Sequence, residues 1–584
     1  MNDRWDLDPI YRGFDDPAFA ADLAALKAVV EENTRFAATL SDMEPMSGLK
    51  SGISRLEEIS RLANKLAVFA TLRQAADTKD PEAGSRLGQI MSIVSDAAAP
   101  EAAFKEWASK LSDLQSLVEA DGELREYAFL FSNIAKSSRY LLGGRGEEIA
   151  AKLQLSGGNA WSELQQYLTS TVTASYRGQD INLSAVRNLA YDPDSWVRKD
   201  AFEAELACYE KIKDAVAFAL NSIKLETISD CQLRGYTSPL ARTLDQYDMK
   251  PETLAAMLGA MDEYLPKFWQ YLRIKAKALG YEKGLPWYDL FAPMGSVSTK
   301  FTAESAREYL VKLFAGFDRE LSDMVAQAFD DAWIDFYPRD GKSGGAFCAG
   351  IECLGQSRVL ANFDGMFTDV ITLAHELGHA FHNQCIREHR LLNRDYSMPL
   401  AETASTFNEC VVMAAAIAGA ADKAEQLALI ESQLQDATQI ICDIYSRYRF
   451  EAAVFDSRQE QFMNADTLCD MMRSAQKASY GDGLDETTLH PYMWVCKSHY
   501  YGPTFYNFPY AFGGLFARGL YAQYEKEGAA FVPKYKKLLR TTTVATAEDT
   551  AQVAGIDLTD REFWRAALQT IAEQIDLFCK LVEE

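Results

Sequence analysis

His375 and His379 stand four residues apart in the run Thr372-Leu-Ala-His-Glu-Leu-Gly-His-Ala-Phe-His382, and Glu376 directly follows the first of them. On an α-helix, positions i and i+4 lie one above the other on a single face. Two imidazoles so placed can reach one metal ion, and Zn2+ accepts such nitrogens at about 2.0–2.1 Å. Glu376, one step along the helix, borders the same face and could take a proton from a water at the metal. The chain has only six histidines, and three of them fall within this run, which makes a chance pattern a poor explanation. The flanks Val370, Ile371, Leu373, Ala374, Leu377, Ala380 and Phe381 are apolar nearly all round. A helix of that kind is buried. Buried imidazoles and a buried carboxylate need partners, and a metal would supply them.

Catalytic zinc commonly takes three protein ligands and keeps one position open. An extended pattern, H-E-x-x-H-x-x-G-x-x-H, would require Gly at 382 and His at 385, but those positions hold His382 and Cys385. Glu388 and His389 are near in sequence, yet the helix would have to fold back sharply to use them. Glu402 is the better candidate. Met398-Pro399-Leu400 breaks the chain before it, and Ala401-Glu-Thr-Ala-Ser-Thr-Phe-Asn-Glu409 opens a new helix. A carboxylate in the first turn of that helix can complete a His2Glu set. Glu409, seven residues on and on the same face, could orient a ligand histidine from behind.

The elements that must position these groups are mostly helices. Asp16-Pro17 and Asp80-Pro81 are cap-and-proline helix starts, and apolar residues follow each at helical spacing, as in Phe19, Leu23, Leu26 and Val30. A further helix is expected through Leu124, Tyr127, Leu130 and Phe131. Asp192-Pro193-Asp194 starts another, and we place a boundary near there: residues 1–190 as an N-terminal helical lobe, residues 191–584 as the catalytic domain. Helices are expected over 196–230, over 251–279 and from a Thr302 cap to about Phe329. The texture changes at Trp333, where short β-prone runs separated by Gly-rich joints extend to Phe363. They form the one expected sheet, directly before the His375 helix. An edge strand there, through Gly344, Gly345, Ala346 and Phe347, could pair with an extended peptide backbone, with the two glycines allowing close approach.

The bulk properties bound the function. A net charge of −25, from 59 basic and 84 acidic residues, disfavours nucleic acid and anionic membrane as partners. The longest apolar stretch, Cys410 to Ala421, is well short of the ~20 residues that a bilayer span needs. The N-terminus is acidic and polar rather than basic and apolar, unlike a secretory signal. Ten cysteines without a C-x-x-C pair suggest reduced thiols, and hence a cytoplasmic location.

Several segments together carry a resemblance. Gly345-Ala-Phe-Cys348, Ala361-Asn-Phe363, the Thr372–His382 run, Ala401–Glu409, His499-Tyr-Tyr-Gly-Pro-Thr-Phe-Tyr506-Asn-Phe-Pro-Tyr510 and Ala554–Trp564 resemble the M3 family of zinc metallopeptidases, nearest its oligoendopeptidase F branch. The likeness spans roughly residues 190–580. It implies a mainly α, two-lobed helical metallopeptidase with a deep substrate channel and a small β-sheet beside the zinc-binding helix. It further implies one zinc per chain on His375, His379 and Glu402, with Glu376 as general base. The substrates implied are short unstructured peptides cut at internal bonds. By the same resemblance, His499, Tyr506 and Tyr510 bind substrate and stabilise the oxyanion, and which tyrosine faces the oxyanion stays open. The competing readings are a zinc exopeptidase on the same site and a catalytically silent peptide-binding protein.

Overall fold

The structure is a computed structural model that describes residues 2–295 and 299–583. It is mostly helical, with two small sheets. β1 (Thr173–Tyr176) and β2 (Gln179–Asn182) make an antiparallel hairpin. β3 (Ile334–Asp335), β4 (Phe347–Ile351) and β5 (Gln356–Leu360) form a sheet of order β3-β5-β4, in which β3 runs parallel and β4 antiparallel to β5. The second sheet falls within the expected 333–363 stretch. The hairpin corrects the expectation of a single sheet. Its turn residues Arg177 and Gly178 have φ of 49° and 80°, as a two-residue hairpin loop requires, but strands of four residues are too short to display alternation.

The helix starts follow their local chemistry. The Asp16 carboxylate accepts the N–H of Ala18, and Asp80 accepts those of Glu82 and Ala83, ahead of helices Pro17–Ala37 and Pro81–Ser109. Two expected helices are each two. The stretch after Thr302 divides into Ala303–Ala315 and Arg319–Asp330, because Asp318 caps a fresh start by accepting the Glu320 N–H. The stretch around Tyr127 divides into Gly122–Arg125, capped by Asp121, and Ala128–Ser137.

Packing sorts the chain into two discontinuous units. The first comprises Met1–Arg139, Thr299–Val412 and Tyr524–Gly555; the second comprises Tyr140–Ser298, Met413–Gln523 and Ile556–Glu584. These units do not follow the linear cut placed near residue 190. In the first unit, Trp5, Tyr11, Phe14, Phe19 and Phe69 share one core with Ile351 of β4 and Leu360 of β5. The N-terminal segment is also stitched to this sheet: Asp6 N–H donates to Ala332 O, Phe336 N–H to Asp3 O, and Arg358 Nε to Asp6 O. Arg390 grips Glu57 bidentately at 2.7 and 2.8 Å. This core joins residues 5–97 to β4 and β5 far along the chain, so chain order is a poor guide to the unit.

In the second unit, helices Ser195–Tyr209 and Lys213–Arg234 bury one core with helix Ala465–Tyr480, the hairpin, and the 492–501 segment. No helix among the described residues is long and apolar enough to cross a membrane.

Candidate active site

The motif lies on helix Phe367–Ile386 of the first unit. Asp369 starts it, its carboxylate accepting the N–H groups of Asp364 and Met366 at 2.9 Å each. Val370, Leu373, Ala374, Leu377, Ala380 and Phe381 are buried, as their apolar character demands, and β4 and β5 pack along the helix. One residue of the motif sets how closely the next helix approaches. A Cβ on Gly378 would lie 2.6 Å from Ala404 O and 2.6 Å from Ser405 Cα, so only glycine lets helix Thr403–Ala418 come this near. Asn408, buried on that helix, donates to Ala374 O at 3.1 Å and ties the two together.

That close approach brings Glu402 to the histidines. Glu402 sits at the joint between helices Met398–Ala401 and Thr403–Ala418, with φ −88° and ψ 8°. Its Oε2 lies 3.4 Å from His375 Nε2 and 3.4 Å from His379 Nε2. The two imidazole rings are 4.9 Å apart and nearly perpendicular. The three ligand atoms all lie within 4.8 Å of one another, the one group among the described residues that offers a metal three such donors. Ser405, itself buried, donates its hydroxyl to Glu402 Oε2 at 2.8 Å. His375 Nδ1 is 2.5 Å from Glu409 Oε1. Glu409 thus fixes the His375 ring through Nδ1 and turns its other nitrogen, Nε2, toward Glu402.

The electrostatics follow from this geometry. Burial works to raise the pKa of Glu402, but the bond from His379, the charge of both imidazoles and the Ser405 hydroxyl bring it down to about 2. Burial works against the imidazolium of His375, yet the bond and charge of Glu409, with Glu376 and Glu402 behind, raise it to about 9. Glu376, 6% exposed, is raised, chiefly by burial. A donor set of two imidazole nitrogens and one carboxylate oxygen, with the outer nitrogen of one imidazole fixed by a second carboxylate, fits zinc.

The neighbouring histidines belong elsewhere. His382 is fully buried, stacked 4.4 Å from Tyr396, with Nε2 2.8 Å from Thr542 Oγ1. His389 Nε2 donates to Arg540 O. Beside the helix, β4 is an edge strand. Gly344, Gly345 and Ala346 lead into it, Gly345 at φ 76°, with its carbonyl held by the Asn362 amide at 2.8 Å. Phe347 packs its ring 6.3 Å from Trp5, so what this residue offers outward is backbone.

The second unit gathers His499, Tyr506 and Tyr510. Their rings lie 5.7–5.8 Å apart, and the Tyr510 hydroxyl is 3.4 Å from His499 Nε2. Burial, with the cations Arg447 and Lys497, lowers the His499 pKa to about 4, so this ring is neutral near pH 7. The residues that hold the segment are ones the sequence did not single out. Phe505 adopts a φ of 53°, uncommon for a side chain of its size. The fully buried Glu451 accepts its N–H at 3.2 Å and the Asn507 amide at 2.9 Å, while Lys224 neutralises the carboxylate at 2.6 Å. No local pattern pointed to Glu451; a buried acid facing a buried lysine 227 residues away is visible only after folding.

Helix, donor set and buried glutamate define a class: a helical protein with a metal-capable H-E-x-x-H centre. The profile of Peptidase family M3 matches residues 188–570, and that of Oligopeptidase F matches residues 108–173. Oligopeptidase PepF of Bacillus subtilis is 23% identical over 98% of this chain and 86% of its own length. Group B oligopeptidase PepB of Streptococcus agalactiae is 24% identical over 98% and 96%. Among solved structures, a Chlamydophila abortus protein described as a peptidase superposes with a TM-score of 0.85 at 22% identity, covering 99% of this chain and 98% of that one. Oligoendopeptidase-F from Enterococcus faecium superposes at 0.73 with 18% identity, covering 97% and 99%. The chain belongs to peptidase family M3 and is a metallopeptidase of that family.

Proposed function

We propose that this enzyme is a zinc-dependent endopeptidase that cuts internal bonds of short unstructured oligopeptides, with one zinc per chain held by His375, His379 and Glu402. The observation that carries the reading is the convergence of two Nε2 atoms and one carboxylate oxygen, 3.4 Å from each, on the helix pair that also bears Glu376. Zinc, when bound, supplies Lewis acidity, lowering the pKa of water toward 7 and polarising a carbonyl.

The chain's own residues do the rest. Glu409 holds the His375 ring, and Ser405 fixes the Glu402 carboxylate. Glu376 takes the proton of the attacking water and returns it to the departing amine, a role its buried position beside both histidines suits. His499, Tyr506 and Tyr510 bind substrate and donate to the developing oxyanion; one such donor is worth about 2.7–4 kcal/mol of barrier. A neutral His499 and two phenols can each donate without adding charge. The backbone from Gly344 to Phe347 pairs with an extended substrate, supported by the free edge of β4 and by the open space around Gly344 and Gly345. A cytoplasmic location is supported by ten cysteines, none of them in a disulfide.

The test is cleavage of an internally quenched peptide blocked at both ends, with and without chelator, alongside metal analysis of the purified chain. Internal cleavage that chelator abolishes and zinc restores, with about one zinc per chain, is the expected result. Cleavage only of peptides with a free terminus would replace this reading with an exopeptidase. A protein that neither binds zinc nor cleaves would leave the peptide-binding reading.

A further inference from the structure

The second unit holds a partly open cavity of about 220 Å3 whose walls come from helix Ser195–Tyr209, the 287–291 segment, the 435–443 stretch and the 490–497 segment. Gln439–Asp443 is a π-helical turn between helices Lys423–Thr438 and Ile444–Arg458. Such widened turns recur at functional sites, and here both Gln439 and Asp443 line the cavity.

The charges around the cavity do not cancel. Glu205 is taken: it accepts the Tyr209 hydroxyl at 2.8 Å and lies 3.4 Å from Arg187 and 3.3 Å from His490 Nε2. Asp443 is held by Arg447, and Arg198 by Asp289 at 2.7 Å. Lys497 lines the same cavity, and among the described residues its Nζ has no hydrogen bond or ion pair. Burial first, then the guanidinium of Arg447 and more weakly that of Arg187, disfavour its charge and lower its pKa, against the opposing pull of the Asp443 carboxylate that Arg447 holds. A second polar group is also unmatched: His490, 1% exposed, has a buried Nδ1 without a partner. An ammonium lodged near two guanidiniums is stabilised by an anion. Beside it the cavity is aromatic, with Tyr191 and Phe291 4.9 Å apart and Trp287 5.7 Å from His490.

We propose that this cavity binds a small apolar α-carboxylate, the chemistry shared by a free aromatic or aliphatic amino acid and the C-terminal residue of a peptide. Lys497 takes the carboxylate, and Tyr191, Phe291 and Trp287 take the side chain. A volume below the ~300–1,000 Å3 of typical ligand pockets admits one residue rather than a chain of them. The cavity and its walls belong to the second unit, whereas the His375 cluster belongs to the first.

Calorimetric titration of the full chain with L-phenylalanine, N-acetyl-L-phenylalanine and L-phenylalaninamide tests this. At least one of the two acids is expected to bind about tenfold or more tightly than the amide, because a charge-assisted contact is lost with the carboxylate. Binding of the free amino acid alone identifies that source; binding of the acetylated acid as well admits a peptide terminus. Lys497→Gln is expected to reduce the acids to the amide's level, and Lys497→Arg to restore the preference. Tyr191→Ala, at a residue that is 60% exposed, is expected to weaken acid and amide alike. The titration is repeated after chelator treatment, where binding is expected to persist. Equal affinity of acid and amide, failure of both acids to bind, or loss of binding with chelator would each overturn the assignment. If Lys497→Gln does not fold, the acid-to-amide comparison on the unmodified chain decides.

Discussion

Replacing Gly378 with alanine tests whether the spacing of two helices makes the metal centre. Taken alone, the change favours folding, since Gly in a helix interior is roughly 0.5–1 kcal/mol worse than Ala. The tertiary contact predicts the opposite sign. The new Cβ would stand 2.6 Å from Ala404 O, 2.6 Å from Ser405 Cα and 2.8 Å from Ala404 C, all backbone atoms that cannot swing aside. Ordinary contact begins near 3.4 Å, so helix Thr403–Ala418 has to retreat by about 0.8 Å. Overpacking of this kind costs about 1–3 kcal/mol. The displaced residues directly follow Glu402, so its carboxylate moves out from 3.4 Å against both imidazoles. A misplacement near 1 Å at a reacting centre costs on the order of 100-fold in rate. Urea unfolding should therefore show a lower midpoint. Chelator competition should show weaker metal retention, and kcat on a quenched peptide should fall by roughly two orders of magnitude. A variant more stable than the parent, with kcat intact, would refute the idea that glycine here sets the helix separation.

Glu376→Gln should keep its metal and lose turnover by at least a factor of ~100; metal analysis and single-turnover assays check the two halves separately, and retained cleavage would remove Glu376 as the base. Glu409→Gln should weaken metal affinity by about 10–100-fold through the His375 ring it holds, measured by competition with a chromophoric chelator. Stability should fall in mild acid because of His382. Burial, with the nearby His379, lowers its pKa from the ordinary 6.5 to about 3, so the folded chain keeps it neutral while the unfolded chain protonates below 6.5. The stability is thus fully present above pH 6.5 and is lost as pH falls toward 3, up to about 5 kcal/mol. Urea midpoints from pH 7 to pH 4 should drop less steeply in His382→Gln, and identical slopes would contradict the assignment.

The sequence by itself determined what short-range rules govern. Residues four apart on a helix share a face whatever surrounds them, so His375, Glu376 and His379 were legible as a unit. Asp-Pro starts and the Thr302 cap were legible because a cap bonds only two or three residues ahead. The sheet was legible at 333–363, where Gly-rich joints punctuate β-prone runs, while the four-residue strands of the 173–182 hairpin carried too little pattern to be seen. Glu402 and Glu409 were singled out from spacing and a chain break.

Tertiary structure decided whether those carboxylates meet the histidines, and it did so through contacts that no periodicity encodes. Gly378 against the 404–405 backbone and Asn408 on Ala374 O set the helix separation. Ser405 aims one carboxylate, and Glu451 with Lys224 holds the backbone at Phe505. It also decided that Trp5, Tyr11, Phe14 and Phe19 share a core with β4 and β5. The physical reason is common to all of these. Close packing and buried charge pairing act between groups far apart in the chain, and their energies depend on tenths of an ångström that only the folded backbone fixes.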